Sequence, residues 1–224
     1  MSINNLALLK LMHLVSPALP VGAYAYSQGQ EYAVDARWVN SGEELKVWVS
    51  GVLRYGLTQL DLPVLQRLYS AWSEQDIDKV QYWNDLIRAN RETSELLLED
   101  EQLGVALQRL LSSLNISGAN TDLDAPVSFV TMFSLAGFQW HIPIHELMYG
   151  FVWSWLENQI AAATKTIPLG QTEAQRLLVE LADIIPTAVE TAKTIADEDI
   201  GLGLPGLALA SALHERQYSR LFRS

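Results

Sequence analysis

The stretch SGEELKVWVSGVLRYGLTQLD, residues 41–61, decides the fold class. Leu45, Val49, Val52, Leu53 and Leu57 recur at three- and four-residue steps, which gathers apolar side chains on one face of an α-helix. Ser41 stands where an N-cap belongs, and Glu44 three residues later completes a capping-box pattern. The same period runs outward in both directions. Upstream, LALLKLMHLV sets Leu6, Leu9, Met12 (or His13) and Leu14 on one face. Downstream, Asp61 is expected to cap a helix through Leu65, Leu68, Tyr69 and Trp72, with Pro63 tolerated in its first turn. Residues 76–114 contain no proline and read as one or two helices, and NISGANTDLDAP (115–126) reads as a surface loop. Four more helices are expected, from about Val127 to Trp140, from Pro143 to about Lys165, from near Gln171 to before Pro186, and over TAVETAKTIA (187–196). No alternating run of useful length suggests a strand. The expectation is an all-α, single-domain helical bundle of about eight to ten helices. Residues 1–195 form its core, and residues 196–224 a glycine-containing linker and a C-terminal partner-binding tail.

Composition narrows the function. The 224 residues are 49% hydrophobic with seven tryptophans, ample for a core, and the absence of cysteine excludes disulfides and thiolate chemistry. A net charge of -11 repels phosphate backbones and argues against nucleic acid as a partner. The opening MSINNLALLKLMHLV carries Lys10 inside its apolar run and lacks a basic leading segment, so it reads as part of the fold and not as a signal peptide. Ala125–His145 is interrupted by Gln139 and Pro143 and does not read as a membrane span. A soluble cytoplasmic protein is expected.

Motifs that could carry catalysis dissolve on inspection. GLGLPG (Gly201, Gly203, Gly206) matches a dinucleotide fingerprint only as a string, since no strand precedes it and Asp197, Glu198 and Asp199 would repel a phosphate. It reads as a flexible linker. His141 and His145 have a metal-sharing spacing, but Pro143 between them marks the start of a helix and leaves His141 outside it. The pairs Glu99 with Glu101 and Asp122 with Asp124 read as solvated charge on loops or turns. No catalytic, cofactor or metal site is expected.

Two segments ask for more than folding. SPALPVGAYAYSQGQE (16–31) spends two prolines, two glycines and two tyrosines on one connection. Pro17 ends the first helix, Pro20 and Gly22 shape the turn, and Ser27 is available as N-cap for the helix that follows. Tyr24 and Tyr26 are either core residues or rigid aromatics presented to a partner. In WSWLENQIAAATKTIPLGQT, Ala161–Ala163 let a second helix approach, and Lys165 sits at the helix C-terminus where the dipole alone would favour it. Gly170 and Gln171 end one element and begin the next. The chain closes on LALASALHERQYSRLFRS, a basic and aromatic tail on an acidic body.

SPALPVGAYAYSQGQE resembles the N-terminal motif of the urease accessory protein UreF family. RETSELLLEDEQLG, WSWLENQIAAATKTIPLGQTEAQRLL and ALASALHERQYSRLFRS agree with it in order and spacing over essentially the whole chain. Gln30 stands where the family suggests Leu, and Glu215–Arg216 where Glu–Thr is usual. The resemblance implies an all-helical protein without catalytic activity that serves nickel delivery to urease. It implies a complex with UreD (also called UreH) and the GTPase UreG that docks on apo-urease, with this protein as a homodimer. It places Arg216, Tyr218, Arg220, Leu221, Phe222 and Arg223 on UreD, and an apolar–basic tail on a glycine linker has the make-up of a segment that folds on binding. It makes Tyr24, Tyr26, Ser27, Lys165, Gly170 and Gln171 candidates for the UreG-facing surface. A rival expectation is activation of UreG by an arginine finger, Arg91 or Arg176.

Overall fold

The computed structural model describes residues 3–201 and 203–224 and leaves Met1, Ser2 and Leu202 outside. Among the described residues there are eleven α-helices and no strand. They are α1 Asn5–Leu14, α2 Gln30–Asp35, α3 Gly42–Val52, α4 Asp61–Glu74, α5 Ile77–Ala89 and α6 Ser94–Ser113. After the loop come α7 Phe129–Gln139, α8 Ile144–Thr166, α9 Gln171–Ala182, α10 Ile185–Ala192 and α11 Pro205–His214. The all-α reading holds, and no helix among the described residues is long and apolar enough to cross a membrane.

The centre is α7, whose residues Val130 to Gly137 are all buried. A helix apolar on every side must be enclosed by others, and α4, α5, α6 and α8 enclose it. Closest approach is at Gly104 on α6, where a Cβ would lie 2.1 Å from the Val127 carbonyl oxygen. Trp72 on α4 joins α7 through its indole N–H, which donates to Ser134 Oγ at 3.0 Å. The long α8 then carries α2, α9 and α10 on its outer faces.

The α3 face is as read, with Leu45, Val49, Val52, Leu53 and Leu57 all buried. Ser41 Oγ accepts from Glu44 N–H at 3.3 Å. Glu44 reaches back one residue further than the capping box requires, to Asn40 N–H at 2.7 Å. Past Val52 the helix widens into one π-helical turn, Leu53–Leu57.

Three local readings are corrected. On α1, Leu14 is buried as read, but Leu6, Leu9 and Met12 are exposed, and Ala7 is buried with Leu11 against Gly150. A run apolar on both faces has two candidate stripes, and packing against the small Gly150 selects the other. Asp61 does not cap α4; it turns inward to Arg91 at 2.7 Å. Finally α2 is short, with Gly29 as N-cap residue and Ser27 Oγ accepting only from Glu31 N–H at 3.3 Å.

Candidate partner-binding site

The C-terminal residues fold back on the body and close over the loop between α1 and α2. The linker is stitched down before α11 begins. Gly201 N–H donates to the Gln59 carbonyl at 3.3 Å, and Leu204 N–H to Glu92 Oε2 at 3.3 Å. Gly201 adopts φ +106° against the Asn90 side chain, and Gly203 leaves room only for Glu92. The glycines therefore serve close packing and a left-handed turn.

Helix α11 packs on α2 and α6. At Gly29 (φ +73°) a Cβ would come within 2.9 Å of Ser211 N, so this glycine meets both a conformational and a steric demand. Thr93 and Ser211 hydroxyls meet at 2.7 Å, and Ser94 Oγ donates to Glu215 Oε1 at 2.5 Å.

Three glutamates then receive the tail. Glu31, 6% exposed, accepts from the backbone N–H groups of Leu221 at 2.7 Å and Phe222 at 2.9 Å. Glu95 lies 2.7 Å from His214 Nδ1 and 2.5 Å from Arg220, while His214 Nε2 faces Glu31 at 3.3 Å. Glu99 accepts from Ser224 Oγ at 2.6 Å and from Gln28 Nε2 at 2.8 Å, and Gln28 in turn accepts from the Trp155 indole at 2.7 Å. Backbone pairing completes the clasp: Arg223 N–H donates to the Ala25 carbonyl at 2.8 Å, and Ser27 N–H and O–H both donate to the Ser224 carbonyl, at 2.7 and 2.6 Å. Burial pushes Glu99 up to about 7, against the hydrogen bonds from Ser224 and Gln28.

This arrangement unites residues chosen from separate parts of the sequence. Tyr26, Ser27 and Phe222 are buried in it, and the Lys165 ammonium lies 5.5 Å from the Phe222 ring centroid. Tyr24, Tyr218 and Leu221 project outward, 70%, 105% and 70% exposed. Arg216, Arg220 and Arg223 are exposed too, and Arg220 is also paired with Glu95. Tyr24 and Arg223 share a shallow hollow of about 340 Å³ with Arg109 and Glu101. Gly170 is the N-cap of α9 and Gln171 its first residue; among the described residues neither is hydrogen-bonded to the tail or its loop. Gln171 instead borders a cavity of about 630 Å³ that also reaches Tyr24, Gln28, Arg91 and Trp155.

Glu99 is the clearest correction here: read as solvated charge, it is 5% exposed inside α6. Glu101 pairs with Arg88 at 2.5 Å, and Asp122 and Asp124 are exposed as expected. Arg91 is not in a helix but in the connection between α5 and α6, held by Asp61 at 2.7 Å and Asp100 at 3.3 Å. Arg176 is exposed on α9. His141 sits in a turn at φ +55° and His145 faces Glu190 at 3.6 Å. No group of three metal-ligating side chains is gathered among the described residues. Gln30, in place of the expected Leu, is fully buried, donates to the Gln159 carbonyl at 3.3 Å, and leaves its Oε1 without a partner. Sequence reading missed Gln28, Glu31, Glu95, His214 and Ser224 as members of the clasp.

Comparison with known proteins adds an independent line. The family described as UreF matches residues 39–182. The urease accessory protein UreF of Teredinibacter turnerae is 61% identical over 98% of this chain and 100% of its own length. That of Hahella chejuensis is 51% identical over 98% and 99%. That of Pseudoalteromonas translucida is 50% identical over 99% and 96%.

Proposed function

Because this chain belongs to the UreF family of urease accessory proteins, we propose that it is a non-catalytic scaffold that holds UreD (UreH) and the GTPase UreG together for nickel insertion into apo-urease. The observation that carries the reading is the composite surface made by the clasped tail. Tyr24 from the N-terminal loop and Tyr218 and Leu221 from the tail stand out on a frame fixed by buried hydrogen bonds. Rigid aromatic anchors lose little entropy on docking and are favoured at interfaces. The exposed Arg216 and Arg223 add charge at the rim, where it acts on association rate more than on affinity.

The tail, with Phe222 at its base, is the UreD-binding element of this reading. Tyr24 and Lys165, which meet the tail from the other side, form the UreG-facing part. Gly170 and Gln171 act at one remove, by setting the α8–α9 corner. A homodimer presents the surface twice. The exposed stripe of Leu6, Leu9 and Met12 on α1 is a further apolar face available to the assembly.

The arginine-finger reading is the weaker one. Arg91 is committed to two carboxylates beside the central cavity, and a finger needs a free guanidinium on a mobile loop. Arg176 remains as an exposed side chain, but on a regular helix. The experiment mixes cognate UreD and UreG with and without this protein and follows both co-elution and GTP hydrolysis. The scaffold reading requires UreG to co-elute with UreD only when this protein is present, with hydrolysis unchanged by Arg176→Ala. Co-elution without it, or a loss of stimulated hydrolysis in Arg176→Ala, overturns that reading.

A further inference from the structure

Among the groups that clasp the tail, one is out of place. Glu99 is a carboxyl 5% exposed, covered by Ser224, which is itself fully buried. Its neighbours do not neutralise it. The Gln28 amide and the Ser224 hydroxyl are uncharged donors, the Ser224 main-chain carboxyl is a further acid group held by Ser27, and Trp155 on α8 reaches Glu99 only through Gln28. The charged groups around it are Asp100 beside it on α6 and Arg91 from the α5–α6 connection, and Arg91 is already shared between Asp100 and Asp61 of α4. From the tail side, the Arg220 guanidinium pairs with Glu95 and the His214 ring faces Glu95 and Glu31, and from α8 Lys165 lies over Phe222. An ionised Glu99 under a seated tail therefore lacks a counter-charge of its own. Burial without a counter-charge penalises the ionised form.

We propose that the C-terminal segment is a proton-controlled latch: protonation of Glu99 favours the tail seated on the body, and ionisation of Glu99 favours its release. The moving part is the segment after α11, residues 217–224, while α11 stays packed on α2 and α6. When the tail lifts, Ser224 uncovers Glu99, which then meets water and ionises at ordinary carboxylate pH. Seating thus takes up a proton. With Glu99 raised to about 7 under the seated tail, the sign follows from linkage: seating is strongest at the acid end of the window and is lost as pH rises through it. The His214 ring also sits among the receptors of the tail, its two nitrogens facing Glu95 and Glu31. The latch stands or falls independently of which protein the tail surface binds.

The test is hydrogen exchange of residues 217–224 in the full chain from pH 5.5 to 8.5, each rate divided by the intrinsic rate at that pH. Protection of the tail is expected to fall by up to about tenfold per pH unit between about pH 5.5 and 7, the response of one linked proton, and then to flatten. Glu99→Gln should hold the acid-side protection across the range and lose most of the slope. Protection that is flat or rises with pH in the native chain overturns the proposal. So does a native slope retained in Glu99→Gln, which would assign the effect to another group. Should Glu99→Gln fail to fold, titration of the Glu99 carboxyl carbon by NMR in the native chain decides. A midpoint near 7 supports the latch, and one near 4.5 removes it.

Discussion

Replacing Glu31 by alanine should free the tail without unfolding the body. The Glu31 carboxylate accepts two backbone N–H groups, at 2.7 and 2.9 Å, and faces His214 at 3.3 Å, with 6% of the residue exposed. A hydrogen bond to a charged group contributes about 1.5–3 kcal/mol, so a sum over the two donors starts near 3 kcal/mol. That sum overstates the effect, because a released tail satisfies its donors with water. About 2 kcal/mol is a reasonable net loss, which makes the released state about 30 times more populated. Trypsin at fixed pH reads this population directly. Arg220 is tied to Glu95 when the tail is seated, and cleavage after it tracks the open fraction when reclosing is fast. Cleavage after Arg220 should accelerate about 30-fold, while the thermal midpoint moves little, since the core around α7 does not involve Glu31. An unchanged cleavage rate would refute the clasp. A fall in thermal midpoint that parallels the cleavage rate would show the tail to be an inseparable part of the core.

Other substitutions separate clasp from core. Gly29→Ala should also release α11, because its Cβ would crowd Ser211 N at 2.9 Å on a left-handed backbone; a loss above about 1 kcal/mol, read by the same cleavage assay, is expected. Gly104→Ala strikes the core, since a Cβ 2.1 Å from the Val127 carbonyl cannot be accommodated without parting α6 from α7, and calorimetry should show a marked drop in midpoint. Leu9→Gln on the exposed stripe of α1 should change stability by no more than about 0.5 kcal/mol in chemical denaturation, whereas Leu14→Ala on the buried side should cost about 2–5 kcal/mol.

What the sequence made legible was periodic. The α3 face and the boundaries of α7, α8 and α9 follow from spacing, caps and prolines, which act within a few residues. Faces failed where the local pattern was degenerate, as on α1, where leucines stand on both sides and only a glycine of α8 selects between them. The clasp was half legible. Tyr26 drew attention as a residue that folding alone did not explain, and Ser27, Lys165 and Phe222 through the family resemblance. Their receptors Glu31, Glu95 and Glu99 did not, because a glutamate on a helix reads as solvated charge until its partner is known. Their partners on α11 and the tail lie 119 to 191 residues away, and one sequence carries no pairing information over that distance. Asp61 misled for a similar reason: its partner Arg91 is 30 residues on, so a capping role was the only local use for it.

The scaffold account rests on the tail surface, and one binding measurement reaches it most directly. Tyr218 and Leu221 project into solvent, so replacing both by alanine should leave fold and clasp intact. Titration of cognate UreD with the native protein and with this variant then isolates recognition from folding. The account predicts affinity reduced by about 30-fold or more, the scale of losing one interface hot spot of about 2 kcal/mol, with an unchanged thermal midpoint. Undiminished affinity would contradict it and return the recognition site to another face of the bundle.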